Sequence, residues 1–82
     1  MDTSITLGFD DHIIVNGVEG WIDAFLEDDL GVIDTNNKFR RFPWLEIKSF
    51  EKLAEALPDQ LTRDTLDYYI EFARKQVEQT RL

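Results

Sequence analysis

Hydrophobic and polar positions alternate in short runs along the first half of the chain, and turn dipeptides separate these runs. The turn dipeptides are Asp10-Asp11, Asn16-Gly17, Asp28-Asp29 and Asn36-Asn37. Asn16-Gly17 is the strongest of them, because an Asn-Gly pair readily adopts the positive φ angles of a type I′ hairpin turn. The pattern predicts strands at about 4–9, 12–15, 18–27, 31–35 and 38–47, which we expect to form an antiparallel meander.

The segment 18–27 also fits an amphipathic helix. Its apolar residues share a helical stripe, and Asn16 and Glu19 have the spacing of a capping box. A helix would, however, place Glu19, Asp23 and Glu27 four residues apart with no cation between them, at a cost of roughly a few tenths of a kcal/mol per pair. It would also put a glycine in its first turn. We therefore favour a strand and keep the helix as the alternative.

The second half of the chain has the spacing of two helices. The apolar face of the first would consist of Phe50, Leu53, Ala54 and Leu57. Ser49 is placed to cap this helix and Pro58 to end it, because proline cannot continue the hydrogen-bond ladder. Asp59 or Thr62 would cap a longer second helix that runs to about Gln79. The predicted fold is therefore α+β: an antiparallel meander of four to five strands, followed by two antiparallel α-helices packed on one face.

The chain of 82 residues is long enough for one domain. We divide this single domain, 1–82, into an acidic β-sheet region, 1–47, and a two-helix region, 48–82. An apolar content of 43% indicates a packed core, and the lack of cysteine excludes a disulfide and fits a cytoplasmic protein. Neither a signal peptide nor a membrane span is expected from the sequence.

Charge is distributed unevenly along the chain. The first 37 residues contain nine carboxylates and no Lys or Arg, whereas eight acids and nine bases follow, so the formal charge of −8 belongs almost entirely to the first half. Such an uncompensated region favours solubility or attraction to a basic partner. It also disfavours direct binding to nucleic acid or to an anionic membrane, because both repel carboxylates.

A binding surface is predicted on the strand at 18–27, where acidic and aromatic residues alternate and would project from one face. Tryptophan anchors surrounded by polar groups are frequent energetic centres of protein interfaces, and carboxylates around them attract a basic partner. The predicted partner-binding residues are Asp10, Asp11, Glu19, Trp21, Asp23, Phe25, Glu27, Asp28 and Asp29. The acids near turns, with Asp34 among them, are expected to be exposed to solvent. The alternative is that the helices cover this face, so that Trp21 and Phe25 belong to the core.

Two further stretches of the sequence are relevant to self-association and to the charge of the sheet. Leu61, Tyr68 and Phe72 lie roughly opposite the main apolar stripe of the second predicted helix. We expect them to pack either against the rest of the fold or in a homodimer or partner interface. The stretch 38–44 interleaves three cations and aromatic residues with one proline, and we expect its cations to neutralise acidic strands across the sheet.

Residues for catalysis are scarce. His12 is the only histidine, no serine stands beside it in the sequence, and the glycines are too scattered for a phosphate-binding loop. We therefore predict no catalytic residue, no cofactor and no metal site, and a protein that is not an enzyme.

The order of elements, a meander with the Asn16-Gly17 turn, a short helix ending at Leu57-Pro58 and a longer amphipathic helix, resembles that of small phage anti-CRISPR proteins that inhibit type I surveillance complexes. The resemblance spans most of the chain as an order of elements, without a shared motif. It implies an acidic inhibitor, in some cases a DNA mimic, that blocks the basic nucleic-acid-binding surface of a protein or nucleoprotein complex. The alternatives are an immunity or antitoxin-like inhibitor of a basic toxin, and a small homo-oligomeric structural subunit.

Overall fold

The structure, a computed structural model, describes residues 1–56 and 63–80. In these residues the chain forms seven strands and one α-helix. The strands are β1 (Thr6–Leu7), β2 (His12–Val15), β3 (Val18–Phe25), β4 (Asp29–Asp34), β5 (Phe39–Pro43), β6 (Phe50–Ala54) and β7 (Asp64–Thr65), and the helix is α1 (Leu66–Thr80). A short 3₁₀ turn, Trp44–Glu46, follows β5.

Five strands form one antiparallel sheet in the order β5-β4-β3-β2-β6, and β1 pairs with β7 in a separate two-stranded sheet. The hairpin between β2 and β3 turns at Asn16 and Gly17, whose φ angles are 48° and 80°. Two positive φ angles define the type I′ turn, so this predicted hairpin is confirmed. The segment 18–27 forms a strand through Phe25, and its helical alternative is excluded.

The predicted short helix after Ser49 is wrong, because this segment is strand β6. Phe50 lies opposite Val15 of β2 and is buried in the core. Without β6, β2 would be an edge strand with a row of unpaired backbone groups. Pairing satisfies these groups, and this tertiary gain outweighs a local spacing that also suits a helix. The other predicted helix residues, Leu57 and Pro58, lie outside the described residues.

The described part of the chain therefore contains one α-helix where two were predicted, and the two-helix region at 48–82 is wrong. This region contains β6, β7 and α1. The helix begins at Leu66, where the backbone N–H of Tyr68 donates to Thr65 Oγ1 at 3.2 Å, as in an N-cap. The predicted caps, Asp59 and Thr62, lie outside the described residues. The first predicted strand, at 4–9, also does not join the meander, because β1 pairs with β7.

The core lies on one face of the five-stranded sheet, under α1 and the 3₁₀ turn. Its buried apolar residues are Leu7, Ile13, Val15, Ile22, Leu30, Val32, Phe42, Trp44, Ile47, Phe50, Leu66 and Ala73. Trp44 is 1% exposed, and its indole Nε1 donates to the carbonyl oxygen of Leu26 at 2.9 Å. In the residues that the structure describes, no helix has the length and apolar character to span a membrane.

Candidate protein-binding surface

The face of the sheet that points away from the core carries a row of four side chains across four strands. His12 lies opposite Trp21, Trp21 opposite Ile33, and Ile33 opposite Phe39. Directly opposite residues of antiparallel strands project to the same side, so the row is continuous. Trp21 is 38% exposed and Phe39 is 47% exposed. We call this side of the sheet the outer face and these four residues the outer-face row.

Neighbouring side chains hold the ring of Trp21 in place. The imidazole of His12 stacks on the indole with ring centroids 4.7 Å apart and planes 8° apart. His12 Nε2 is in turn 2.8 Å from Glu19 Oε2, which is a hydrogen-bond distance. An aromatic side chain that is already oriented loses little conformational entropy when a partner binds it.

Glutamates flank the row on one side. Ile14 of β2 lies opposite both Glu19 of β3 and Glu51 of β6, so both glutamates belong to the outer face. Glu19 contacts His12, and Glu51 forms no ion pair with any described residue. On the other side of the row, Arg41 Nη2 is 2.9 Å from Asp29 Oδ2 and its charge is neutralised there. The outer face therefore combines exposed aromatic surface with net negative charge.

A β-bulge separates Trp21 from Phe25. Ile22 lies opposite Val32 and Ala24 opposite Gly31, so Asp23 is the extra residue of β3. One inserted residue shifts the side-chain alternation that follows it. Phe25 consequently faces the core side, where its ring stacks on Tyr69 at 5.0 Å. The expectation that Trp21 and Phe25 project from one face is therefore wrong.

Asp11 is also not a surface residue, and the expectation that it is exposed is wrong. It is 0% exposed, and Arg63 Nη1 donates to its Oδ2 at 2.7 Å. The backbone N–H of Gly8 donates to the same oxygen at 3.0 Å, and that of Ala56 donates to Oδ1 at 3.1 Å. Lys52 Nζ lies 4.0 Å away. Asp11 is therefore a structural carboxylate that joins several segments.

The expected exposure of Asp34 is wrong as well, since this carboxylate organises the turn between β4 and β5. The backbone N–H groups of Asn36 and Lys38 donate to its Oδ1 at 2.9 and 3.0 Å. The Lys38 hydrogen bond above all, together with those from Asn36 and Arg40, holds the pKa of Asp34 below its usual range. Arg40 and Arg41 pair with Asp34 and Asp29. These pairs confirm the predicted neutralisation across the sheet.

The remaining predicted residues lie apart from the outer-face row. Glu27 and Asp28 occupy the turn between β3 and β4, and Asp10 precedes β2 with a φ of 66°. All three are exposed and form no ion pair with a described residue. Of the three residues predicted for self-association, Tyr68 and Phe72 are exposed on α1. Leu61 lies outside the described residues.

Sequence reasoning missed Ile14, Ile33, Phe39 and Glu51 as members of the outer face. The signal was the strand register: once Asn16-Gly17 fixes the first hairpin, alternation places Ile14 opposite Glu19. Phe39 was instead assigned to the basic stretch at 38–44.

Among residues 1–56 and 63–80, no three His, Cys, Asp or Glu side chains are grouped as metal ligands would be. Comparison with protein-family models, curated proteins and solved structures gives no significant match.

Proposed function

We propose that this protein is a non-enzymatic binding protein whose outer face covers a basic, nucleic-acid-binding surface of another protein or nucleoprotein complex. One observation supports this most strongly: exposed Trp21 and Phe39 lie in one row beside Glu19 and Glu51. A row of exposed apolar side chains on a sheet is a typical protein-interaction surface. The neighbouring carboxylates determine which partner it accepts.

The chemistry of the outer face favours a cationic partner. Trp21 and Phe39 would supply most of the contact free energy, because buried aromatic residues dominate protein interfaces. Glu19 and Glu51 would pair with Lys or Arg of the partner and raise the association rate. The charge of −8 opposes nucleic acid binding to this chain. The proposal is therefore that the protein competes with nucleic acid for a basic surface, in the cytoplasm.

The test begins with the immobilised protein and a lysate of the cells in which it occurs. We expect it to retain a basic protein, and binding of the purified partner to weaken about ten-fold with Trp21→Ala. The double change Glu19→Gln and Glu51→Gln should lower the affinity and make it less dependent on salt. Added protein should displace nucleic acid from the purified partner.

Matched controls are available elsewhere on the molecule. Leu45 is an exposed apolar residue of the 3₁₀ turn, and Glu78 is an exposed acid of α1. Leu45→Ala and Glu78→Gln should leave the affinity unchanged. Equal affinities of Trp21→Ala and Leu45→Ala, or a partner that is acidic, would show that the outer face does not have this function.

A further inference from the structure

A second candidate site lies on the helix side of the sheet, away from the outer face. It is a pocket of about 370 Å³ between the end of β3 and the first turns of α1. Its lining residues are Phe25, Leu26, Glu27, Tyr68, Tyr69 and Phe72. Four of the six are aromatic, and one is a carboxylate. We call it the aromatic pocket.

The aromatic walls are held in place by a stack of rings. Tyr69 lies between Phe25, at a centroid distance of 5.0 Å, and the buried Trp44, at 4.7 Å. The ring of Tyr68 stands at 84° to that of Tyr69, at 5.3 Å. Tyr69 therefore supports the pocket with its faces covered, and the rings that a ligand can reach are those of Tyr68 and Phe72, which are 52% and 42% exposed. Burial first, and then the charge of Asp64, raise the pKa of the Tyr69 phenol, so this wall stays neutral at physiological pH.

Negative charge borders the pocket. Glu27 is one of its walls, and a second depression of about 300 Å³ shares Glu27 and is further lined by Asp28, Gln76 and Val77. Glu27 and Asp28 form no ion pair with any residue in the described ranges. Among residues 1–56 and 63–80, no Lys or Arg lines either depression. The two depressions meet at Glu27, so aromatic rings lie on one side of this carboxylate and Asp28 lies on the other.

The charges and rings select the ligand. An anion would be repelled by Glu27, and a purely apolar group would take water from its carboxylate without offering a partner. A cation on an apolar stem satisfies both features, because ring faces attract cations and the carboxylate pairs with them. Two carboxylates, Glu27 and Asp28, line this region, so a peptide with two cationic side chains pairs with both, whereas a small free amine pairs with one.

We propose that the aromatic pocket binds a lysine side chain of a partner protein, and that the depression at Glu27 and Asp28 binds a second cation of the same segment. This site is separate from the outer face. It goes beyond the proposed function, and either site can fail in a test while the other stands.

The probe is an acetylated Gly-Lys-Gly-Lys-Gly amide, titrated into the isotope-labelled protein and followed by amide chemical shifts. We expect the shifts to cluster at Glu27, Tyr68 and Phe72. Replacing the first lysine with neutral norleucine should weaken binding about five-fold, and trimethylating it should preserve or strengthen binding. Choline that binds more tightly than the peptide would overturn the assignment to a protein lysine.

Variants identify the groups that act. Glu27→Gln and Phe72→Leu should each weaken binding of the peptide. Phe72→Leu tests the ring itself, because leucine keeps the apolar volume and removes the ring face. Phe72 is 42% exposed, so its variant should fold. Leu45→Ala and Glu78→Gln should bind the peptide normally, because neither residue belongs to the outer face or to the aromatic pocket. Equal binding of the lysine and norleucine peptides, or shifts confined to the outer face, would refute the lysine pocket without bearing on the outer-face proposal.

Discussion

Arg63 Nη1 lies 2.7 Å from Asp11 Oδ2, and both side chains are nearly removed from solvent, at 11% and 0% exposure. The two residues are 52 positions apart in sequence. Their ion pair connects the loop between β1 and β2 with the residue that precedes β7. The carboxylate also accepts the backbone N–H groups of Gly8, in its own loop, and of Ala56, so one acidic side chain joins three segments of the chain.

Asp11→Asn is therefore expected to lower the free energy of unfolding by about 3 kcal/mol, because it removes the charge of a fully buried carboxylate that pairs with Arg63 and puts an NH₂ group where an oxygen accepts hydrogen bonds. Urea denaturation at neutral pH measures this loss. The matched control is Asp10→Asn, an exposed neighbour with a positive φ that asparagine tolerates. We expect the control to change stability by less than about 0.5 kcal/mol. Equal losses in the two variants would contradict a structural role for Asp11.

Asp34 makes stability depend on pH in the acidic range. Its pKa in the folded state is lowered, mainly by the backbone N–H of Lys38. The contribution of Asp34 to the free energy of unfolding is therefore complete above its unfolded-state pKa of about 3.9. It is lost as the pH falls through the lower pKa of the folded state. Denaturation midpoints of wild type and Asp34→Asn should differ most near neutral pH and converge in acid. A constant difference would argue against this role, and Glu78→Gln controls for the loss of one charge.

The sequence predicted the parts of the fold that depend on neighbouring residues. The hairpin at Asn16 and Gly17 is specified by a dipeptide whose preferred φ angles match the turn. Strand β6 was missed, because its conformation depends on the unpaired edge of β2, more than thirty positions earlier. A local pattern of apolar residues at helical spacing contains no information about this pairing with a distant strand.

The candidate site was predicted in part for the same reason. The position of Trp21 and Glu19 on one face of the sheet follows from their alternation in one strand. The bulge at Asp23 has no signature in a single sequence, yet it places Phe25 on the other side of the sheet. Asp11 is expected from the sequence to be an exposed residue of a turn, because its partner, Arg63, is distant in sequence. Long-range pairing thus decided which of the acidic residues remain on the surface.

Gly20 provides a test of strand packing. A Cβ atom at this position would lie 2.5 Å from the Ile33 carbonyl oxygen and 2.5 Å from Val32 Cγ1. Gly20→Ala must therefore displace β4, and we expect a loss of about 2 kcal/mol in thermal or urea unfolding. Gly17→Asn is the comparison: nothing lies within 4 Å of its Cβ, so its cost is only the strain of a φ of 80°, which asparagine tolerates better than most residues, and we expect a smaller loss. A neutral Gly20→Ala would mean that β3 and β4 are less closely packed.

The two tryptophans should report opposite environments. Trp44 is 1% exposed and Trp21 is 38% exposed, so each residue can be observed in the variant that lacks the other. In Trp21→Phe, the remaining emission should be blue-shifted and resistant to acrylamide. In Trp44→Phe, it should be red-shifted and readily quenched.

The two variants should also differ in stability, and Trp44→Phe should be the less stable. Trp44→Phe leaves the Leu26 carbonyl oxygen without its indole donor, and we expect it to cost about 2 kcal/mol. Trp21→Phe removes a partly exposed indole that has no such buried acceptor, and its cost should stay below about 1 kcal/mol. Similar quenching of the two single-tryptophan variants would contradict the exposure of Trp21, on which the outer-face proposal depends. Quenching therefore tests the geometry of that surface before any partner is known.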